Sequence, residues 1–304
     1  MDTTLPAASR AGLGAMIAIE ARRFARHPLF VLGALAAWII TAVVGTSGDQ
    51  VTDMLAWPII PAFFIGLPSL VVAASLTRST EVAAEAMGTV PGTEARRTLA
   101  VGGAALVPLA AGLVWLVETL VIAAVRGAHP NELWFGTMDD LHVWSLLLGL
   151  GPVACLGGAL LGVLVGRWLR FRGAAAVVIV ALVALDILAQ FGTMGEDIVA
   201  NHASDDLSVR LRLWVPWALW HSGSVDGRSA VAGGDPFWYL LYLLALCALA
   251  LGGAVWHDRS ARSARLRFSL SGLIAVAACL LALAVFAGPE AGTVSGRVTA
   301  TSQG

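Results

Sequence analysis

Seven long apolar stretches, separated by short polar segments, dominate the pattern of hydrophobic and polar positions along the chain. They cover residues 29–45, 55–76, 99–125, 143–165, 173–191, 237–256 and 268–287. Most reach about 20 residues, the length needed to cross a hydrocarbon core about 30 Å thick, although the first and fifth are at the short end. Because a chain in lipid must satisfy its backbone polar groups internally, we expect every stretch to be helical. The pattern predicts an all-α, polytopic membrane protein with about seven transmembrane helices.

Composition supports the membrane class and excludes several kinds of chemistry. Hydrophobic residues make up 58% of the 304 residues and charged residues 13%, about half the charge of a soluble domain. All 19 basic residues are arginine, so the chain has no lysine for a Walker A motif or a Schiff base. The three cysteines lie inside apolar stretches and are typical of core residues. We therefore predict no catalytic, cofactor or metal site, and any ATPase activity must belong to another chain.

The arginines predict the orientation. If the N-terminus is cytoplasmic, 14 arginines fall in the inner segments and 5 in the outer ones, as the positive-inside rule requires. The predicted organisation is a cytoplasmic tail and helix at 1–28, a transmembrane domain at 29–287 with an inner loop at 77–98 and an outer loop at 192–236, and an extracytoplasmic tail at 288–304.

The segment before the first stretch has the pattern of an amphipathic helix at residues 13–27. Leu13, Ile17 and Phe24 recur near helical spacing, whereas Glu20 falls on another face with basic residues. Such a helix suits the membrane surface, with its arginines among anionic headgroups; an ordinary positively charged flank is the alternative. The candidate interfacial residues are Glu20, Arg22, Arg23 and Arg26.

The inner loop at 77–98 predicts a short helix that projects from the membrane. Ser79 or Thr80 can cap it and Pro91 ends it, after which Thr93 can cap the next helix. Such a helix suits docking of a soluble partner, and a plain helical connector is the alternative.

The outer loop becomes rich in tryptophan after an acidic first part. Trp214, Trp217 and Trp220 surround Pro216. The segment is too short to span, so it predicts either a re-entrant element or a loop whose aromatic rings anchor at headgroup level.

Two carboxylates lie within the apolar stretches. Asp186 and Glu118 are candidates for a substrate path, because charged groups inside a membrane are costly and usually functional. For Glu118 a solvated or helix-pairing role, and for Asp186 an interhelical hydrogen bond, are the alternatives. Glycines in the fourth stretch predict close helix packing; they are Gly157, Gly158, Gly162 and Gly166.

Three segments together resemble the permease subunits of ABC-2-type exporters, especially actinobacterial ones. IEARRFARHPLFVLGALA (19–36) resembles their elbow helix and first span, STEVAAEAMGTVPGTEARRTLA (79–100) their first cytoplasmic loop, and GGDPFWYLLYLLALC (233–247) the entry to a late span. The family usually has six spans, so the seventh stretch departs from it.

The resemblance implies a permease that couples ATP hydrolysis by a separate cytoplasmic ABC ATPase subunit to export of a drug, peptide or lipid-like substrate. It implies a dimer with a second copy or a paralogue in the bacterial cell membrane, and no nucleic acid partner. The elbow helix would lie at 13–27, the coupling helix at 80–87 and re-entrant elements at 209–220. The implied ATPase-coupling residues are Thr80, Glu81, Glu85, Met87, Gly88, Pro91, Arg96 and Arg97. A stand-alone proton-coupled transporter and a non-transporting membrane sensor are the alternatives.

Overall fold

The computed structural model of the protein describes most of the chain. The described residues are 7–47, 59–87, 93–127, 132–133, 136–137, 139–169, 171–190, 210–218, 220–225, 228–231, 234–288 and 292–295. The α-helices in this part are α1 (Ala7–Ala25), α2 (Pro28–Ser47), a single turn (Ile59–Pro61), α3 (Leu67–Met87), α4 (Glu94–Ala104), α5 (Leu106–Val125), α6 (Asp140–Leu148), α7 (Ala154–Trp168), α8 (Ala174–Gln190), α9 (Pro236–Trp256) and α10 (Ala264–Phe286).

The membrane part of the prediction is confirmed in its coarse form. Six helical segments of the described chain are long and apolar enough to cross a membrane: Pro28–Thr46, Ile59–Glu81, Glu94–Val125, Asp140–Trp168, Pro236–Trp256 and Ala264–Phe286. The fifth predicted stretch forms a shorter apolar helix, Ala174–Ala189. The structure thus indicates a multi-pass helical membrane protein, with six long spans where the sequence pattern predicted about seven.

The fold is helical, as predicted, and short strands lie outside the spans. They are β1 (Glu132–Leu133), β2 (Gly136–Thr137), β3 (His221–Val225), β4 (Arg228–Val231) and β5 (Gly292–Ser295). The first two form a hairpin, and the other three form an antiparallel sheet in the order β3-β4-β5. The sheet joins the segment before α9 to the segment after α10.

Prolines break two spans into α-helical and π-helical parts. A π-helix at Ala62–Gly66 precedes α3, and a second at Gly149–Val153 joins α6 to α7 and contains Pro152. Because Pro68 has no N–H, the Phe64 carbonyl lacks its usual helical donor, and Gly33 of α2 approaches this carbonyl so closely that a Cβ would overlap it. The break in this span is therefore a point of close contact with α2.

Glycines hold α7 against α3, as the sequence pattern predicted. Cβ atoms added at Gly158 and Gly162 would overlap the backbone carbonyls of Gly66 and Leu70, and one at Gly166 would lie 2.8 Å from Thr77 Cβ. The repeat of four residues places these glycines on one helical face. The two helices form the most closely packed part of the core, with small residues at their contact.

Helix α1 covers most of the predicted segment 13–27, but its faces differ from the prediction. Glu20 is buried together with Phe24, one turn away, rather than lying on another face. On the same helix, Ile17 packs against Gly103 of α4. The Glu20 carboxylate tolerates burial because Arg23 pairs with it at 3.0 Å.

The prediction that a separate helix begins at Ser79 or Thr80 in the inner loop is wrong. Helix α3 continues without a break from the span to Met87. Ser79 and Thr80 do not cap a new helix; their hydroxyls donate to the carbonyls of Leu76 and Thr77 within α3, at 2.9 and 2.7 Å. The Thr93 cap is confirmed, since its hydroxyl accepts the Arg96 N–H.

Candidate functional site

The most extensive polar cluster in the described chain lies at the end of the bundle where α3, α4, α7 and α9 meet. At its centre is Arg167, in the last turn of α7, whose side chain is fully buried. Its Nη1 donates to Glu81 Oε1 of α3 at 2.8 Å and lies 3.6 Å from Glu94 Oε1 in the first turn of α4. Within the described part, Nε and Nη2 of Arg167 have no hydrogen-bond partner. The two glutamates therefore provide the compensation for a buried positive charge.

Glu94 extends the cluster to the connection between α9 and α10. Its Oε1 is hydrogen-bonded to Nδ1 of His257, the residue that follows α9. The His257 ring packs edge-on against Trp168, with ring centroids 5.4 Å apart, and Trp168 Nε1 donates to the Gly253 carbonyl at 2.9 Å. The end of α7 is thus held to the end of α9 by both polar and aromatic contacts.

Asp258 holds the same connection to α4. Its Oδ2 accepts the backbone N–H of Ala95 at 2.9 Å, and its Oδ1 accepts the N–H and hydroxyl of Ser260 at 2.8 and 2.7 Å. Burial raises the pKa of Asp258, but the hydrogen bonds from Ser260 and Ala95 and the positive charge of Arg167 outweigh it and leave the pKa below its ordinary value. The carboxylate is ionised at neutral pH and caps two backbone segments.

Helix α1 joins the cluster through Arg23. The Arg23 Nη1 donates to both Glu20 oxygens, at 3.0 and 3.1 Å, and its Nη2 donates to the Ser79 hydroxyl of α3 at 2.9 Å. Four segments that are distant in sequence therefore meet at one end of the bundle. We call the set Glu81, Glu94, Arg167, His257 and Asp258 the Arg167 cluster.

The structure describes some of the predicted coupling residues and not others. Thr80 and Glu81 lie in the last turns of α3, and Arg96 and Arg97 are partly buried in the first turns of α4. The side chains of Glu85 and Met87 lie outside the described part of the structure, and so do the residues Gly88 and Pro91. Of the predicted interfacial residues, Arg22 and Arg26 are exposed.

The importance of Arg167, His257 and Asp258 is not apparent from the sequence. All three directly follow or end an apolar stretch, which is a usual place for interfacial polar residues and therefore gave no distinguishing signal. The one available hint was that Arg167 directly follows Gly166, the last of the α7 glycines.

A second polar cluster surrounds Tyr239 at the opposite end of the bundle. The Tyr239 hydroxyl donates to the Val215 carbonyl at 2.7 Å and accepts the Ala218 N–H at 3.0 Å. Buried Asp186 of α8 acts electrostatically on Tyr239. Glu118 lies on α5, and in the described part it makes no contact with Asp186. The two candidate substrate-path carboxylates are therefore not brought together.

The tryptophan-rich segment is an integral part of this end. A 3₁₀ turn at Leu211–Trp214 leads into residues whose rings are buried, among them Trp217, which packs against Phe63 at a centroid distance of 5.6 Å. Arg212 lies over the Trp220 ring at 5.3 Å. This burial favours the re-entrant alternative over the passive loop.

The described residues contain no group of His, Cys, Asp and Glu side chains that could hold a metal ion. Comparison of the chain with protein-family models, curated proteins and solved structures finds no match.

Proposed function

We propose that this chain is the permease subunit of an ATP-driven exporter of the ABC type, which receives force from a separate cytoplasmic ATPase at the loop between α3 and α4. The observation that carries the proposal is the position of Arg167. It binds Glu81 on one side of residues 88–92 and lies next to Glu94 on the other side. Both flanks of the loop are thereby attached to α7.

This attachment gives a physical route for coupling. A displacement of the end of α3 acts on α7 through the buried ion pair and through the glycine contacts, which leave little room for sliding. It also reaches α1 through the Arg23–Ser79 hydrogen bond, and α9 through Glu94 and His257. A connector without a coupling role would not need a buried arginine shared by two flanks.

The proposal includes the expected setting of such a subunit. The end that holds the Arg167 cluster faces the cytoplasm of a bacterial cell, with the N-terminus inside and the C-terminal tail outside; this orientation requires α8 to cross the membrane as a shorter seventh span. A second copy or a paralogue completes the transport path, and the exported molecule is a drug, peptide or lipid-like compound. The arginine bias of the segments at this end supports the orientation.

The test is purification of the native complex in mild detergent, followed by mass spectrometry and transport measurements. We expect to recover a chain with Walker motifs. In inside-out vesicles we expect ATP-dependent uptake of amphipathic compounds from a panel of labelled drugs and lipids. Glu94→Gln should lower uptake about tenfold while ATP hydrolysis persists, the loss expected when about 1.4 kcal/mol of coupling is removed.

Arg265→Gln is the matched control, since Arg265 lies at the same end and is exposed. It should leave uptake unchanged. The proposal would be overturned if no ATPase is recovered and deletion of residues 80–87 leaves ATP-dependent uptake unchanged.

A proton-coupled transporter that acts alone is the second candidate, and buried Asp186 favours it. In this case liposomes containing only this chain should show transport driven by a pH gradient. Asp186→Asn should abolish that transport, whereas Glu118→Gln should retain it. Absence of gradient-driven transport by the wild-type chain would exclude this candidate.

A further inference from the structure

Two apolar cavities lie on the same side of the bundle. The first, of about 430 Å³, lies between α7 and α9 and is closed by α8 and the tryptophan-rich segment, with Gly157, Leu182, Trp217 and Cys247 in its walls. The second, of about 590 Å³, lies between α7, α9 and the first turns of α10, with Trp168, Trp256 and Arg267 in its walls. Both are lined almost wholly by apolar atoms.

The two cavities adjoin along α7 and α9, because Leu164 and Leu249 line both of them. We call the two cavities together the groove. From Tyr242 at one end to Trp256 at the other, the groove follows α9 for about 21 Å at 1.5 Å per residue. One leaflet of the hydrocarbon core is about 15 Å thick. The groove is therefore long enough to hold an entire extended acyl chain.

The groove ends at a positive charge. Arg267 lines the second cavity and is exposed, and in the described part of the chain its side chain makes no hydrogen bond or ion pair. Ser271, one helical turn further along α10, lines the same cavity. No carboxylate of the described residues lines either cavity. Arginine binds phosphate oxygens in a bidentate manner, so the charge at the mouth matches an acidic headgroup.

Indole rings mark the depth of this mouth. Trp168 and Trp256 lie beside it, and tryptophan is enriched at the boundary between headgroups and acyl chains. A phosphate at Arg267 would lie at the headgroup level, and the chain below it would follow α9 towards Trp217. We propose that this groove is a binding site for one anionic phospholipid, with an acyl chain along α7 and α9 and its phosphate against Arg267.

The site needs no ATPase partner, so it can be tested with the purified full chain alone. The probe is phosphatidylglycerol with a diazirine in the middle of one acyl chain, compared with phosphatidylcholine carrying the same chain. After irradiation in nanodiscs, mass spectrometry should locate the cross-links in residues 157–164 and 243–250. Labelling from phosphatidylglycerol should exceed that from phosphatidylcholine about fivefold, the usual effect of one arginine near an anionic headgroup.

Arg267→Gln should reduce phosphatidylglycerol labelling to the phosphatidylcholine level and leave phosphatidylcholine labelling unchanged. Arg265→Gln is the matched control, because Arg265 is exposed on the same helix and does not line the groove; it should retain the preference. Leu164→Trp should remove cross-links around Cys247, since the indole would fill the junction of the cavities. Equal labelling by both lipids, or equal labelling of the outward face of α2, would mean ordinary boundary lipid and overturn the proposal.

Discussion

The two ends of the helical bundle bury arginine side chains in different ways. At one end Arg167 lies beside the carboxylates of Glu81 and Glu94, which come from two different helices. At the other end Arg210 donates to the Val285 carbonyl at 3.0 Å, and Arg212 lies over the Trp220 ring. The first arrangement joins segments through opposite charges, and the second includes a contact to a backbone carbonyl and a contact to an aromatic face.

This difference has electrostatic consequences. Burial lowers the pKa of Arg212 to about 10; the nearby Tyr239 opposes this shift, and the like charge of Arg210 adds to it. Arg212 therefore remains protonated at neutral pH, although its environment disfavours the charge. Variants can test how strongly the Arg167 end depends on its opposite charges and how strongly the Tyr239 end depends on its hydrogen bonds.

The largest effect is expected when Arg167 loses its compensation. In the double variant Glu81→Gln/Glu94→Gln, the buried guanidinium would lose both carboxylates that pair with it, and we expect a loss of about 3–5 kcal/mol in the free energy of unfolding. The measurement is SDS-driven unfolding of the purified protein in mixed micelles.

Adding Arg167→Met to the double variant provides the control. Without the buried charge most of the lost stability should return, since apolar replacements of buried ion pairs are often neutral. A double variant as stable as the wild type would show that this end does not depend on charge.

At the opposite end, Tyr239→Phe should have the next largest effect. It removes the hydroxyl that serves both the Val215 carbonyl and the Ala218 N–H, leaving two buried backbone groups unsatisfied at a cost of about 2–3 kcal/mol. Tyr242→Phe removes only the bond to the Trp214 carbonyl and should cost about 1 kcal/mol. The same unfolding experiment measures both, and an equal loss in the two variants would contradict this ranking.

Between the two ends, a substitution at Gly162 tests how much the contact between α7 and α3 contributes to stability. In Gly162→Ala the new methyl group would overlap the Leu70 carbonyl, and such overpacking costs about 1–3 kcal/mol. Gly272→Ala on α10 is the matched control, because nothing lies within 4 Å of its Cβ position. That variant should be neutral or gain up to about 1 kcal/mol from helix propensity. Similar losses in the two variants would show that the glycine contact has no special role.

The sequence predicts the parts of this structure that depend on local pattern. Apolar length predicts the helices, the glycine spacing predicts the α7 contact, and Thr93 is confirmed as a cap. Arg167, Arg170 and Arg172 look alike in the sequence, because each follows the same apolar stretch. The burial of Arg167 depends on the rotation of α7 against α3, and this rotation is a tertiary property.

The same reasoning explains the error at Ser79 and Thr80. Both residue types are common helix caps, but they also occur inside helices when their hydroxyls bond to a preceding carbonyl, as here. The tertiary contact of Arg23 with Ser79 favours the continuous helix. Local propensity could not distinguish these two outcomes.

The smallest expected effect concerns the acid response of the Arg167 end. Because the pKa of Asp258 is lowered in the folded protein, its ionised form stabilises the fold at pH values above the ordinary aspartate pKa of about 3.9. This contribution is lost as the pH falls through the lower, folded-state pKa. The Asp258→Asn variant lacks this contribution at every pH. Its free energy of unfolding should be about 1 kcal/mol lower at neutral pH, the usual value of a lost cap.

The informative quantity is the difference in Tm between wild type and Asp258→Asn from about pH 7 to about pH 3. It should stay constant down to about pH 5 and narrow below about pH 4. Ser260→Ala removes the 2.7 Å hydrogen bond that helps to lower the folded-state pKa, so in its background the total narrowing should be smaller and should be complete at a higher pH. A difference that widens with acid would mean that protonated Asp258 stabilises the connection, contrary to the ionic character we assign to this end.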